Sequence, residues 1–150
     1  MVSPNVVSKR LRLLEGYLRK LQRIRSTTNL DIFLADSDVQ DIVDRNLHLA
    51  LETLFDIGQH IIASSAWESA EEYADIFTTL RAHQVISDDL FKRTVGMAGF
   101  RNLLVHEYAR VDHSQVFVIL RDHLGDLVEL ARVFQNFVDA DVDRESDAAI

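Results

Sequence analysis

Apolar residues recur at steps of three and four along most of the chain, which is the spacing that places them on one face of an α-helix. The first such stretch spans residues 6–26. A second helix, capped by Asp36 or Ser37, is predicted to run to about Ser64. Because its apolar positions form a broad stripe, we expect this second helix to be the central and most buried element.

Two further helices are predicted in the middle of the chain. Ser69 and Glu72 have the spacing of a capping box, which predicts a short helix that ends near His83. Ser87 is suited to cap a fourth helix that continues through Leu104.

The last helix completes the predicted architecture. It opens at Asp112 and is expected to end near Val138, whereas residues 30–34 are predicted to be a short turn packed onto the core. The chain is therefore predicted to be all-α, an antiparallel bundle of four long helices and one shorter helix.

Composition narrows the class of protein. The 150 residues include only 5 Gly and 1 Pro, too few turn residues for an all-β sandwich, and no Cys, which excludes disulfides and thiolate metal sites. No apolar run approaches the ~20 residues of a membrane span, so a cytoplasmic protein is expected. We predict one domain over residues 1–138, followed by an acidic, disordered tail over residues 139–150.

Charge is unevenly distributed. The net charge of −8 argues against a nonspecific nucleic-acid coat, yet residues 9–25 carry seven basic residues and one acid, and residues 139–147 carry five acids and one Arg. Both segments are compatible with solvated helix surfaces. The basic segment is also compatible with a local contact to RNA or to an acidic protein.

The predicted second helix carries a polar stripe. His48, Glu52, Asp56 and His60 are each four residues apart and share one helix face. Metal sites in helical bundles usually collect ligands from several helices, and no second Glu-x-x-His element is present. We therefore predict a polar stripe beside the core, with no metal and no cofactor.

The most distinctive polar residues are clustered between positions 101 and 108. Arg101, Asn102, His106 and Tyr108 are predicted to lie on the side of one helix that faces away from the core. Arginine presents a planar fork of donors to phosphate, and histidine can remove a proton from a hydroxyl group. The alternative is purely structural, with Arg101 paired to a carboxylate and His106 hydrogen-bonded at a helix end.

Residues 99–108 read Gly-Phe-Arg-Asn-Leu-Leu-Val-His-Glu-Tyr, which resembles the signature of the HEPN superfamily and, more closely, that of HepT toxins. The motif of that family is Arg, four residues, His, one residue, Tyr, and Arg101, His106 and Tyr108 match it at the right spacing. Residues 47–62 and 73–77 resemble flanking segments of the family, so that the similarity covers about residues 5–138.

This resemblance implies a metal-independent endoribonuclease that works as a homodimer, with the two motif helices forming a shared cleft. His106 would deprotonate a ribose 2′-hydroxyl, which attacks the adjacent phosphate to leave a 2′,3′-cyclic phosphate. Arg101 would stabilise the charge that develops on the phosphate, and Asn102 would serve as an orienting group. We further infer that Gly96 and Gly99 let the two motif helices approach closely.

The resemblance also implies a control mechanism and partners. HepT toxins are paired with a MntA-type nucleotidyltransferase antitoxin in a type VII-like toxin–antitoxin system, and AMPylation of the motif tyrosine, here Tyr108, would switch the RNase off. The expected partners are an RNA substrate (tRNA or mRNA), the antitoxin and a second copy of the chain, with no membrane. The alternative functions are a noncatalytic HEPN module that serves a nucleotidyltransferase and a plain dimeric scaffold.

Overall fold

The computed structural model describes residues 2–148, and it is all-α over that range, as predicted. No helix among these residues is long and apolar enough to cross a membrane. The α-helices are α1 (Pro4–Thr27), α2 (Leu30–Ala35), α3 (Ser37–Ser64), α4 (Tyr73–Ala82), α5 (Asp88–Thr94), α6 (Met97–His106), α7 (His113–Asp122) and α8 (Leu124–Ala148), and a 3₁₀ turn (Tyr108–Arg110) joins α6 to α7.

Helix α3 is the centre of the bundle, as its broad apolar stripe predicts. It packs against α1, α2, α4, α6, α7 and α8. The helix begins where the sequence indicates, because the Asp36 carboxylate accepts hydrogen bonds from the backbone N–H groups of Asp38 at 3.1 Å and Val39 at 3.2 Å. It ends at Ser64, also as predicted.

One close helix contact positions α4 over the middle of α3. A Cβ atom at Gly58 would lie only 2.8 Å from Ile76 Cγ2 and 3.2 Å from Leu80 Cδ1, so α4 can approach α3 this closely only where glycine stands. The contact fixes the first residue of α4, Tyr73, beside the polar stripe of α3.

The predicted fourth helix is two helices. It is interrupted at Val95 and Gly96, between α5 and α6. The hydroxyl of the buried Thr94 donates to the carbonyl of Leu90 at 2.7 Å, a bond that bends helices, and Gly96 follows with its low helix propensity. The interruption makes Met97 the first residue of α6.

The predicted fifth helix is also divided, at His123, into α7 and α8. The His123 imidazole contacts the Asp126 carboxylate at 3.0 Å, and the same carboxylate accepts from Arg93 of α5 at 2.5 Å. A contact between distant segments therefore lies next to the break, and helical periodicity does not reveal it.

Helix α8 continues to Ala148, ten residues past the predicted end near Val138. The segment that we expected to be a disordered tail is helical as far as Ala148, and residues 149–150 of that tail lie outside the described residues. Two contacts hold this extension against the bundle: Val142 packs onto the core, and Asp141 accepts a hydrogen bond from the backbone N–H of Val2 at 3.2 Å.

Two local predictions also need correction. The short turn over residues 30–34 is the helix α2, in which the Asn29 side chain accepts from the N–H of Ile32 at 2.9 Å. The capping box at Ser69 is wrong, because α4 starts after Glu72, and Asp75 accepts from the N–H of Glu72 at 3.3 Å. In both cases a polar residue that was not predicted as a cap begins the helix.

Candidate active site on helix α6

Helix α6 carries Arg101, Asn102 and His106, and it ends at His106. Glu107 leaves the helical conformation with φ −130° and ψ 42°, and Tyr108 begins the 3₁₀ turn. The prediction that Tyr108 lies on the same helix side as Arg101 is therefore wrong. The turn redirects Tyr108 towards the N-terminal half of α3, away from Arg101.

Arg101 is held from three sides. Its Nε donates to Glu52 Oε1 at 2.5 Å, Nη2 forms an ion pair with the same oxygen, and Nη1 donates to Asn102 Oδ1 at 3.1 Å. The guanidinium also lies over the ring of Tyr73, 4.1 Å from its centroid. With three of the five N–H groups of an arginine engaged in this way, two remain for a phosphate.

Glu52 therefore has a role that the sequence did not indicate. The structural alternative for Arg101, pairing with a carboxylate, is present in the protein. The Glu52 carboxylate also accepts from Tyr73 Oη at 3.4 Å and contacts His48 Nε2 at 3.3 Å. One carboxylate thus orients the arginine from α3, while the aromatic ring of α4 supports it from the other face.

The two remaining residues of the polar stripe, His60 and Asp56, lie in different environments. His60 Nε2 accepts from the backbone N–H of Ser3 at 3.0 Å, and burial lowers the pKa of its imidazole. Burial raises the pKa of the Asp56 carboxyl group, and the nearby Arg10 partly offsets this effect. Among residues 2–148 no three His, Cys, Asp or Glu side chains form a group that could hold a metal ion.

His106 contrasts with Arg101. Its side chain is exposed at the last position of α6, and it forms no hydrogen bond or ion pair with the described part of the chain. The structural alternative for this residue, a hydrogen bond at the helix end, is therefore not present. Asn102 is exposed one helical turn earlier, and its amide nitrogen remains available because only its oxygen is engaged by Arg101.

Tyr108 is anchored to α3 by a carboxylate. Its hydroxyl donates to Asp41 Oδ1 at 2.8 Å although the residue is 52% exposed. This hydrogen bond, together with burial and the negative charge of Asp44, raises the pKa of the phenol to about 12. The phenol is therefore a protonated hydrogen-bond donor at neutral pH.

Asp44 lies behind this contact and is almost fully buried, with 4% of its surface exposed. Its Oδ2 contacts His113 Nε2 at 2.8 Å, and burial raises the pKa of its carboxyl group. Sequence reasoning missed both Asp41 and Asp44. A signal was available, because they precede His48 at steps of three and four and so extend the same polar stripe towards the start of α3.

This geometry can be compared with known proteins. A sequence profile of the family described as "Ribonuclease HepT-like" matches residues 14–134. The chain is 32% identical over 121 residues to the tRNA nuclease HepT of Aphanizomenon flos-aquae, which covers 79% of this chain and 80% of that protein. The chain belongs to the ribonuclease HepT-like family.

A further sequence relative and a solved structure are also similar to this HepT-like chain. The mRNA nuclease HepT of Shewanella oneidensis is 24% identical over 135 residues, which cover 90% of this chain and 95% of that protein. The solved structure of the tri-AMPylated Shewanella oneidensis HEPN toxin in complex with its MNT antitoxin has the same fold, with a TM-score of 0.81 and 23% identity over 89% of this chain and 99% of that one. The predicted family and the predicted class of enzyme, a ribonuclease, are confirmed.

Proposed function

We propose that this HepT-like protein is the toxin of a toxin–antitoxin pair and acts as a metal-independent endoribonuclease. One observation carries the proposal: on one helix, the guanidinium of Arg101 is held in place, and the imidazole of His106 is exposed and has no hydrogen bond or ion pair with residues 2–148. The relatives support it, since they are named as nucleases of tRNA and of mRNA.

The proposed reaction uses the ribose itself as the nucleophile. His106 removes the proton of a 2′-hydroxyl, and the 2′ oxygen attacks the adjacent phosphorus. The bond to the 5′ oxygen breaks, which leaves a 2′,3′-cyclic phosphate and a 5′-hydroxyl end. The two free N–H groups of Arg101 stabilise the charge that develops on the phosphate oxygens, and the amide of Asn102 adds a further donor.

We further propose that the active form is a homodimer in which the α6 helices of two copies line a common cleft. A Cβ atom added to Gly96 or Gly99 would meet no atom within 4 Å in the described chain, so neither glycine is required for packing within the protomer. These open positions are available for close approach of a second α6.

The proposed control is AMPylation of Tyr108 by a MntA-type nucleotidyltransferase. The phenol is exposed enough for an enzyme to reach it, and the related solved complex contains a tri-AMPylated toxin together with an MNT antitoxin. Each transferred nucleotide adds a negatively charged phosphodiester to the end of α6 that carries His106. This charge would repel the phosphates of an RNA substrate.

The test is cleavage of a tRNA and mRNA mixture in excess EDTA by protein produced without any nucleotidyltransferase. We expect cleavage by the wild type, with cyclic-phosphate ends, and cleavage that is about 10²–10⁴-fold slower by His106→Ala. His83→Ala serves as the matched control, because His83 is an exposed histidine at the end of α4 and stacks on Trp67 instead of facing α6.

The second candidate function is a noncatalytic module that serves a nucleotidyltransferase, and the ion pair between Glu52 and Arg101 is the observation that favours it. A folded, dimeric and unmodified protein that leaves RNA intact would support this alternative. Equal cleavage by the wild type and His106→Ala would instead contradict the assigned general base.

A further inference from the structure

A small cavity opens beside the end of α6 that carries the candidate active site. It has a volume of about 230 Å³ and is lined by Asp41, Asp44, Arg45, His48, Leu104 and Tyr108. We call it the Tyr108 pocket. Since one water molecule occupies ~30 Å³ in the liquid, a single ordered water does not fill it. Tyr108 follows His106 by two residues, so the pocket lies close to the proposed catalytic base along the chain, although His106 itself does not line it.

The pocket contains acceptors that the described chain does not satisfy. Asp44 Oδ1 is buried and has no hydrogen-bond donor among the described residues, while Oδ2 of the same group is engaged by His113. The Tyr108 hydroxyl lies near both carboxylates, but it has one proton, which it donates to Asp41 Oδ1. The exposed Asp41 offers its second carboxylate oxygen, which has no donor among the described residues, so a ligand with N–H groups would find a free acceptor here.

The same pocket contains an unused cation. Arg45 is exposed, lines the cavity and forms no ion pair or side-chain hydrogen bond with the described residues. A ligand that suits the whole pocket therefore carries both N–H donors and a negative charge. A metal ion satisfies the carboxylates but not the arginine, and these residues do not form a metal-binding group.

We propose that the Tyr108 pocket binds one nucleobase with an exocyclic amino group, contributed by the RNA substrate next to the bond that is cleaved. The amino group donates to the free oxygen of Asp41, beside the carboxyl group of Asp44 that also lines the pocket, and Arg45 contacts the phosphate of that nucleotide. Leu104 and the ring of Tyr108 supply the apolar and flat surfaces against which an unstacked base packs.

The proposal rests on the ribonuclease activity proposed above and extends it to base specificity. Adenine, cytosine and guanine carry an exocyclic amino group, whereas uracil presents a carbonyl oxygen at the position where cytosine has its amino group. That oxygen would face two carboxylates. We therefore expect the enzyme to discriminate against uridine at the pocket position.

The experiment compares short oligonucleotides that have a single free 2′-hydroxyl, with 2′-O-methyl groups at all other riboses, so that only one linkage can be cleaved. The base on either side of that linkage is varied in pairs that differ in the amino group: cytosine and uracil, adenine and purine, guanine and hypoxanthine. At one of the two positions we expect kcat/KM to be about 10- to 100-fold higher for the base with the amino group.

Substitutions of the pocket residues test whether these residues discriminate between the bases. Asp41→Asn and Asp44→Asn should reduce this ratio to near one, and Asp38→Asn should retain it, because Asp38 is an exposed acid on the same helix outside the pocket. Asp41 is exposed and its variant is expected to fold, so Asp41→Asn decides the question if the buried Asp44 does not tolerate substitution.

Binding measurements distinguish the proposed base specificity of the pocket from the proposed cleavage reaction. Fully 2′-O-methylated oligonucleotides cannot be cleaved, and their dissociation constants can be measured by fluorescence anisotropy with unmodified protein. A preference of about tenfold for cytosine over uracil supports the pocket even if no cleavage is found. Equal cleavage and equal binding of every pair would overturn it while leaving the ribonuclease proposal intact.

Discussion

The two ends of the motif on α6 differ in how the protein holds them. At Arg101 the guanidinium is mostly buried, with 12% of the side chain exposed, and it contacts Glu52, Asn102 and the ring of Tyr73. At His106 the helix ends, and the imidazole has no partner among the described residues. The group that we propose to stabilise charge is thus oriented in advance, whereas the group that we propose to transfer the proton is left open to substrate.

This difference has a physical basis. A donor aimed at developing charge is most effective when it does not need to reorient during the reaction, and packing and hydrogen bonds provide that rigidity. A general base must reach a hydroxyl group that arrives with the substrate, and a hydrogen bond within the protein would occupy the nitrogen that it needs. We therefore expect Arg101 to contribute to folding as well as to activity, and His106 to contribute to activity alone.

The largest effect is expected for His106→Ala. Loss of the general base should lower the rate of RNA cleavage by about 10²–10⁴-fold. The melting temperature should stay unchanged, because the exposed imidazole forms no hydrogen bond or ion pair within the described part of the chain. Cleavage assays and thermal unfolding followed by circular dichroism check both parts, and a large loss of helical signal would contradict the comparison.

Arg101→Ala should reduce both activity and stability. We expect about 10²–10³-fold slower cleavage from the loss of a charge-stabilising donor. The free energy of unfolding should fall by about 1–2 kcal/mol, because Glu52 keeps its charge in a partly buried site without its main partner. Urea unfolding measures the second effect, with the exposed Arg12→Ala as the control. Unchanged stability would mean that the ion pair does not hold the fold.

Glu52→Gln tests the support of Arg101 without removing the arginine. The amide keeps an acceptor but loses the charge that fixes the guanidinium, so we expect kcat to fall about tenfold. KM should not rise, because removing a negative charge does not weaken RNA binding. Steady-state kinetics with Glu71→Gln, an exposed acid, as the control separate the two constants. An increase in KM at constant kcat would indicate that Glu52 acts on binding.

Tyr108→Phe should have a small effect on RNase activity, within about threefold, because a protonated phenol is a poor general base. Loss of the hydrogen bond to Asp41 should lower the free energy of unfolding by about 1 kcal/mol. The variant should not accept AMP, which mass spectrometry after incubation with a nucleotidyltransferase and ATP detects. A folded variant without RNase activity would make Tyr108 catalytic.

The smallest effect concerns alkaline pH. Because the folded-state pKa of Tyr108 is raised from 10.0 to about 12, its contribution to stability is complete below pH 10 and is lost as pH rises through about 12. Asp41→Asn removes the largest cause of the shift and should move the pKa back towards 10. The absorbance of tyrosinate, with Tyr108→Phe subtracted, measures the change, and an unaltered titration would mean that Asp41 does not hold the phenol.

The family and the fold class were predictable because both depend on local patterns. Periodic apolar residues specify helices, the carboxylate at Asp36 specifies where α3 begins, and the spacing of Arg101, His106 and Tyr108 identifies the motif. The breaks at Gly96 and His123 were not predicted. They stand beside the bond of Thr94 to its own helix and the contact of Asp126 with distant Arg93, neither of which changes the apolar periodicity.

The sequence by itself identified the motif residues to which we assign the chemistry, but the tertiary structure decided what each of them contacts. Glu52 is 49 residues from Arg101, and Asp41 is 67 residues from Tyr108. Pairings over such distances depend on how α3 and α6 pack, because hydrophobic burial brings the helices together without regard to the polar residues on their edges. The helical pattern of the motif extended through Tyr108, whereas the folded chain ends α6 at His106 and turns the phenol towards α3.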